Sequence, residues 1–235
     1  MTKQEIIYAI KDGCEGKNLT SSIITDELVS WHIDNTRAQL IKQDLIKGHT
    51  IDSYLIQSLG CLDLVLVDKS ECCNVPIGCK ILRTSVPIPS PLELHNKQLI
   101  TRVGPIDLTE LAFSKIEYER VPFEGWNRYT GNLIKYFTMN NNGYIYFISP
   151  KNSTILIEKV NIQGVWEKPE DVAKFTTCTG ETCYNDEKEY PLKSWMVSSL
   201  IEIVTKKFIL PELSYPTDKT NDNMELKTPI TTGIK

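Results

Sequence analysis

Residues 132–150, "NLIKYFTMNNNGYIYFISP", are two aromatic and β-branched runs joined by Asn141, Asn142 and Gly143. An Asn-Gly pair supplies the positive φ angles that a tight turn between antiparallel strands requires, so the stretch predicts a β-hairpin. Strand character extends from it in both directions. Upstream, "CLDLVLVD" (61–68) and "CKILRTSVPIP" (79–89) are short apolar runs rich in β-branched residues. "LAFSKIEYERVPFE" (111–124) alternates Phe113, Lys115, Glu117 and Glu119 with Ser114, Ile116, Tyr118 and Arg120, and "STILIEKVNI" (153–162) follows the hairpin. The middle of the chain therefore predicts an antiparallel β-sandwich or barrel.

Helical spacing holds at the two flanks. Lys3 to Gly13 places Ile6, Ile7 and Ile10 on one face. In "TDELVSWHIDNTRAQLIKQDLIKG" (25–48), Thr25 is the N-cap, Asp26 and Glu27 face the positive end of the helix dipole, and Gly48 ends the helix. Its expected apolar stripe runs Leu28, Trp31, His32, Asn35, Ala38 and Leu45, with Ile33, Leu40 and Ile41 extending apolar character around the side. "YPLKSWMVSSLIEIVTKKFIL" (190–210) opens with Pro191 in the first turn and ends at Pro211. The resulting expectation is an α+β fold, with a helical bundle from both chain ends carrying the β-rich part. Its divisions are N-terminal helices over 1–50, a β-rich domain over 51–189, a returning helix over 190–212 and a polar tail over 213–235.

Composition narrows the function. Of 235 residues 41% are hydrophobic and 24% charged, which is ordinary for a chain that buries a core. The formal net charge is −4 and no run of Lys or Arg exceeds two residues, which argues against gripping a nucleic-acid backbone. A charged residue at position 3 and the lack of any apolar run near 18 residues fit neither a signal peptide nor a membrane span.

Seven cysteines invite a search for chemistry. "ECCNVPIGCK" (71–80) and "CTGETC" (178–183) bring Cys72, Cys73, Cys79, Cys178 and Cys183 into two clusters. Four of these sulfurs in a zinc-stabilised intracellular binding module form one reading. Free thiols packed as small apolar groups form the other, and a disulfide framework is the poorest guess for a chain made in a reducing cytosol. His32 on the apolar side of a helix reads as a packed histidine. No catalytic constellation, phosphate loop or cofactor motif stands out, so catalytic, cofactor and metal residues are expected to be none. Trp31, Arg37 and Trp195 on the helices, with Trp126, Arg128 and Tyr129 in "RVPFEGWNRYTGN" (120–132), are candidate interface residues, because Trp, Tyr and Arg dominate binding hot spots. That loop either meets a neighbour or covers the end of the β-rich part.

Three long segments in order, "ITDELVSWHIDNTRAQLIKQDL", "ECCNVPIGCKILRTSVPIPSPLEL" and "RVGPIDLTELAFSKIEYERVPFEGWNRYTGN", resemble virion ring proteins of crAss-like phages, the tailed phages of gut Bacteroides. The layout is also similar to head-to-tail adaptors of short-tailed phages. The resemblance implies a non-enzymatic virion protein made in the host cytoplasm, forming a ring in the portal-to-tail connector. Such a ring is expected to be a twelve-fold homo-oligomer that touches the portal and other ring or tail proteins. Genomic DNA is expected to pass through it without sequence-specific binding, and no membrane is involved.

Overall fold

The computed structural model of the chain describes residues 1–15, 25–73, 80–95, 97–126, 133–139, 142–149 and 157–209. The turn at 74–79 with Cys79, Arg128 and Tyr129, Asn141, the start of "STILIEKVNI" and the tail over 213–235 lie outside the described residues.

Helix α1 covers Lys3–Glu15 and runs through Gly13. Helix α2 covers Asp26–Ile46, with the Thr25 hydroxyl accepting from the backbone N–H of Leu28 at 3.3 Å and Gly48 just beyond its end at φ +87°. This is the expected cap and stop. Strands β1 (Gln57–Ser58) and β2 (Leu62–Asp68) follow, then a four-residue helical turn α3 (Ser70–Cys73) and strand β3 (Lys80–Thr84). A small ribbon, β4 (Glu93–Leu94) with β5 (Lys97–Gln98), precedes β6 (Ile100–Gly104) and β7 (Ser114–Lys115). The hairpin read from the sequence is β8 (Lys135–Thr138) with β9 (Ile145–Ile148), and Gly143 between them sits at φ +68°. Strand β10 (Lys159–Gly164) and helix α4 (Ser194–Ile203), continued by a π-helical turn over Val204–Ile209, complete the fold.

The β-strands build neither a sandwich nor a closed antiparallel barrel. They form one sheet ordered β6-β10-β2-β3-β9-β8-β7, with β1 extending the line of β2 along β10. Pairing is antiparallel except between β7 and β8, which run parallel, and the sheet curls into a half-barrel. Curling leaves its two outer strands, β6 and β7, bridged by one loop, where the N–H of Phe113 donates to the carbonyl of Val103 at 2.7 Å. Inside the curl, Leu82, Tyr136, Phe147, Val160 and Ile162 join Trp166 in the main core. The alternate residues Ile81, Phe137 and Tyr146 form a smaller cluster on the outer face. Strand alternation places the two sets on opposite faces.

Segment 111–124 is the second departure from expectation. Only Ser114–Lys115 is a strand, and Tyr118–Trp126 winds as a 3₁₀ helix. Pro122 has no N–H to give to a ladder, and Val121 and Tyr118 gain burial by covering Phe137 and Tyr146.

The helices do not stand apart as a bundle built from both chain ends and carrying a separate β domain. They are few, and the far C-terminal residues that would complete such a bundle are outside the described residues. Ile6, Ile7 and Ile10 of α1, Val29 and Ile33 of α2, and Met196, Leu200 and Val204 share one core. Further along α2, Ile41 packs with Leu55, Leu92 and Val165 of the β-rich part instead. Helix α2 is thus knitted into the sheet along its length, and the fold is a mixed α/β layer on a half-barrel. Its buried face centres on Val29, Ile33, Arg37 and Ile41, the side of the expected Ile33 and Ile41 extension; His32 of the expected stripe is buried too, whereas Trp31 and Asn35 face solvent. Pro191 precedes α4 by three residues instead of sitting in its first turn.

Candidate assembly interface

The polar residues on the buried side of α2 explain how the C-terminal helix is placed. Asp34 accepts from the hydroxyl of Tyr190 at 2.7 Å and from Lys3 of α1 at 3.0 Å, and Lys3 also reaches Glu170 at 2.6 Å. Arg37 donates from Nε to the carbonyl of Pro191 and from Nη1 to that of Trp166, each at 2.8 Å. Asp44 pairs with Lys193 at 2.8 Å and with His49 at 2.6 Å. Residues 190–193 are therefore gripped at three points along one helix face, and the sequence then turns into α4 with a fixed origin. Burial pushes the Tyr190 hydroxyl well above its usual range and lowers the Arg37 guanidinium. The Asp44 carboxyl is held below the usual range, first by the hydrogen bond from His49 and then by Lys193.

This grip sets Trp195 one turn into solvent, 58% exposed, with the ammonium of Lys193 6.0 Å from its ring centroid. Tyr54, 74% exposed in the 3₁₀ turn Ser53–Leu55, lines the same cleft of about 720 Å³ with Leu192, Val197 and Ile201. Trp31 is also exposed, beside His32, whose ring stacks on Phe208 with centroids 4.6 Å apart. Lys193 meets α2 near its end and Phe208 meets it near its start, so α4 runs antiparallel to α2. Trp31 and Trp195 accordingly lie at opposite ends of the helix layer, about 20 Å apart at 1.5 Å per residue.

Of the other candidates, Arg37 is fully buried and acts inside the chain. Trp126 ends the 3₁₀ segment, and its side chain, like Arg128 and Tyr129, lies outside the described residues.

A second apolar surface escaped the sequence reading. The loop from Pro105 to Phe113 joins β6 to β7, and the Arg102 guanidinium donates to the carbonyls of Pro105 (3.2 Å), Asp107 (3.1 Å) and Glu110 (3.1 Å). Asp107 in turn accepts from the N–H and hydroxyl of Thr109 at 2.9 and 2.7 Å. A Cβ on Gly104 would lie 3.2 Å from the Cα of Ala112, so the loop closes tightly on its base. This held loop exposes Ile106, Leu108 (58%) and Leu111 (86%). The signal that could have found it is "IDLTEL", in which an Asp-x-Thr turn is flanked by leucines instead of polar residues.

The cysteines resolve differently from expectation. Cys61 and Cys178 form a disulfide with Cα atoms 5.2 Å apart. The N–H of Cys61 donates to the carbonyl of Thr176 at 3.1 Å, and Thr176 bridges Thr182, which docks a small hairpin on the strand line and brings the two thiols together. Cys183 remains a thiol, raised in pKa by burial. Cys178 is thereby taken from the set of sulfurs weighed for zinc, and among the described residues no three His, Cys, Asp or Glu side chains converge as a metal site. The side chains of Cys72 and Cys73 lie outside the described residues. No helix among the described residues is long and apolar enough to cross a membrane.

Comparison with known proteins gives this geometry its context. The chain is 30% identical over 228 residues to "Ring protein 2" of Bacteroides phage crAss001, an alignment covering 94% of this chain and 96% of that protein. The family described as "Phage tail ring protein 2" matches residues 5–225. An exposed pair of apolar surfaces on a rigid scaffold suits a virion component that assembles with other copies and other tail proteins. The chain belongs to the phage tail ring protein 2 family.

Proposed function

We propose that this chain is a non-enzymatic subunit of a ring in the portal-to-tail connector of a tailed phage, where it seals and extends the channel for genomic DNA. Family membership across residues 5–225 is the observation that carries this reading. Copies of the chain associate into a closed ring, twelve-fold to match a portal of that symmetry, and the ring contacts the portal or other ring and tail proteins. The net charge of −4 and the scarcity of clustered basic residues favour a channel past which phosphates slide without sticking. Residues 213–235, polar and poor in apolar side chains, dock on a neighbouring ring.

The test is assembly. Purified chain, alone and mixed with portal protein, is imaged by electron microscopy and weighed by native mass spectrometry. Closed rings, with the chain present in virions at portal-like abundance, are the expected result. A chain that stays monomeric at every concentration, with portal and without, overturns the proposal.

A further inference from the structure

Two unlike apolar surfaces have no partner within the described residues. One is the Leu108 and Leu111 knob on the loop held by Arg102, and the other is the cleft whose apolar wall is Tyr54, Leu192, Trp195, Val197 and Ile201, with Asp52, Glu189 and Lys193 also in its lining. Strand β10 fixes their relation. Its Asn161 pairs with Gly104, from which the loop departs, and its Gly164 pairs with Gln57, three residues after Tyr54. Knob and cleft thus leave the sheet at different points along the same strand, three residues apart. A leucine exposed to water on a mobile loop costs little and says little. Here three carbonyl bonds from a guanidinium hold the loop, so the aliphatic groups are presented in one arrangement, which reduces the ordering entropy of binding.

We propose that Leu108 and Leu111 of one copy seat in the Tyr54–Trp195 cleft of the next copy, as the heterologous contact that closes the ring. The inference rests on the ring reading above and supplies the surfaces that it lacks. A closed ring needs one patch of each subunit to meet a different patch of its neighbour. Two copies of the same knob would meet in a two-fold dimer, whereas a knob and a cleft, being different patches of one subunit, pass the contact onward from subunit to subunit. Aromatic walls suit aliphatic anchors, and both sets of side chains lose water on contact. The second copy is the occupant that ring membership requires, since a ring protein meets its own chain on two sides.

Two full-length double variants test it. The loop variant carries Leu108→Asp and Leu111→Asp, and the cleft variant carries Tyr54→Ala and Trp195→Ala. Each changes only exposed side chains, so melting temperatures within about 2 °C of wild type are expected. Self-association, read by native mass spectrometry and analytical ultracentrifugation, is expected to weaken at least about 100-fold in each. Mixed in equal amounts, the two variants keep one intact knob and one intact cleft between them, and a species of two chains forms and stops there. Rings formed by either variant at wild-type concentration overturn this contact while leaving the ring reading intact. The same holds if the loop variant melts far below wild type yet assembles normally, which would make the leucines part of the chain's own core. Wild-type chain that never forms rings overturns the ring reading and this contact with it.

Discussion

Arg37 of α2 donates to the carbonyl of Trp166, two residues past the end of β10, at 2.8 Å, and both side chains are fully removed from solvent. With its second bond to Pro191, this guanidinium holds the helix layer, the sheet and the start of α4 at one point. Replacing it with Ala leaves two buried carbonyls without donors and a void, and a loss of about 3–5 kcal/mol in urea unfolding is expected. Arg37→Lys recovers little, because an ammonium has no planar fork to serve two carbonyls on different segments. Near-wild-type stability of either variant contradicts the role given to the guanidinium.

Asp44 provides a pH signature. Its hydrogen bond from His49, and then its bond and ion pair with Lys193, keep its pKa in the folded chain below the ordinary carboxylate value. Above about pH 5 the carboxylate is ionised in folded and unfolded chains alike, and its contribution to stability is fully present. As the pH falls further the unfolded chain takes up a proton that the folded chain resists, so the contribution drains away and is gone below the folded pKa. Denaturant titrations from pH 6 to pH 2 should show a steeper acid loss for wild type than for Asp44→Asn. Parallel curves would refute it.

Gly60 sits at φ +70° where a Cβ would lie 2.3 Å from the carbonyl oxygen of Thr176 and 2.8 Å from the sulfur of Cys183. Gly60→Ala must strain the backbone and push the 176–182 hairpin off the strand line, with an expected cost of about 3 kcal/mol. Gly180→Ala, also at positive φ but with open space around it, should cost about 1 kcal/mol. Thermal melts of the two variants side by side check the contrast.

The Cys61–Cys178 bridge joins residues 117 apart in sequence. Non-reducing peptide mapping should recover the linked pair, and reduction or Cys61→Ser should lower stability by about 5 kcal/mol on the chain-entropy account. Two free thiols at these positions in denatured, alkylated protein would exclude the bond.

Local chemistry was legible in the sequence, and long-range partnership was not. Thr25, Asp26 and Gly48 mark α2 because capping is decided within a turn of the residue itself, and Gly143 marks the β8–β9 hairpin for the same reason. The polar part of the buried face of α2 was not legible, because Asp34, Arg37 and Asp44 look like surface residues until Tyr190, Pro191 and Lys193 arrive from about 150 positions away. The alternation in 111–124 imitated a strand, yet Pro122 and the waiting face of Phe137 favoured a 3₁₀ turn. Sandwich and half-barrel have the same strand pattern, and what separates them is the long-range pairing of β10 with β2 and β3 with β9 that makes one sheet. At the candidate interface, Trp31 and Trp195 were read as contact residues by their type and do stand exposed, whereas Leu108 and Leu111 carry no mark apart from the loop that holds them.

The placement of Met1 and Tyr190 has a consequence for how the chain matures. The N–H of Tyr190 donates to the carbonyl of Met1 at 3.0 Å, and residues 190–209 cover the apolar face of α1. Until residues 190–209 are made, that face has only Val29 and Ile33 of α2 against it. Strand β10, which must be flanked on both edges, likewise appears only after all of its partners. A chain stopped before residue 190 lacks that cover, so it offers chaperones and proteases a half-open apolar helix in place of a finished subunit.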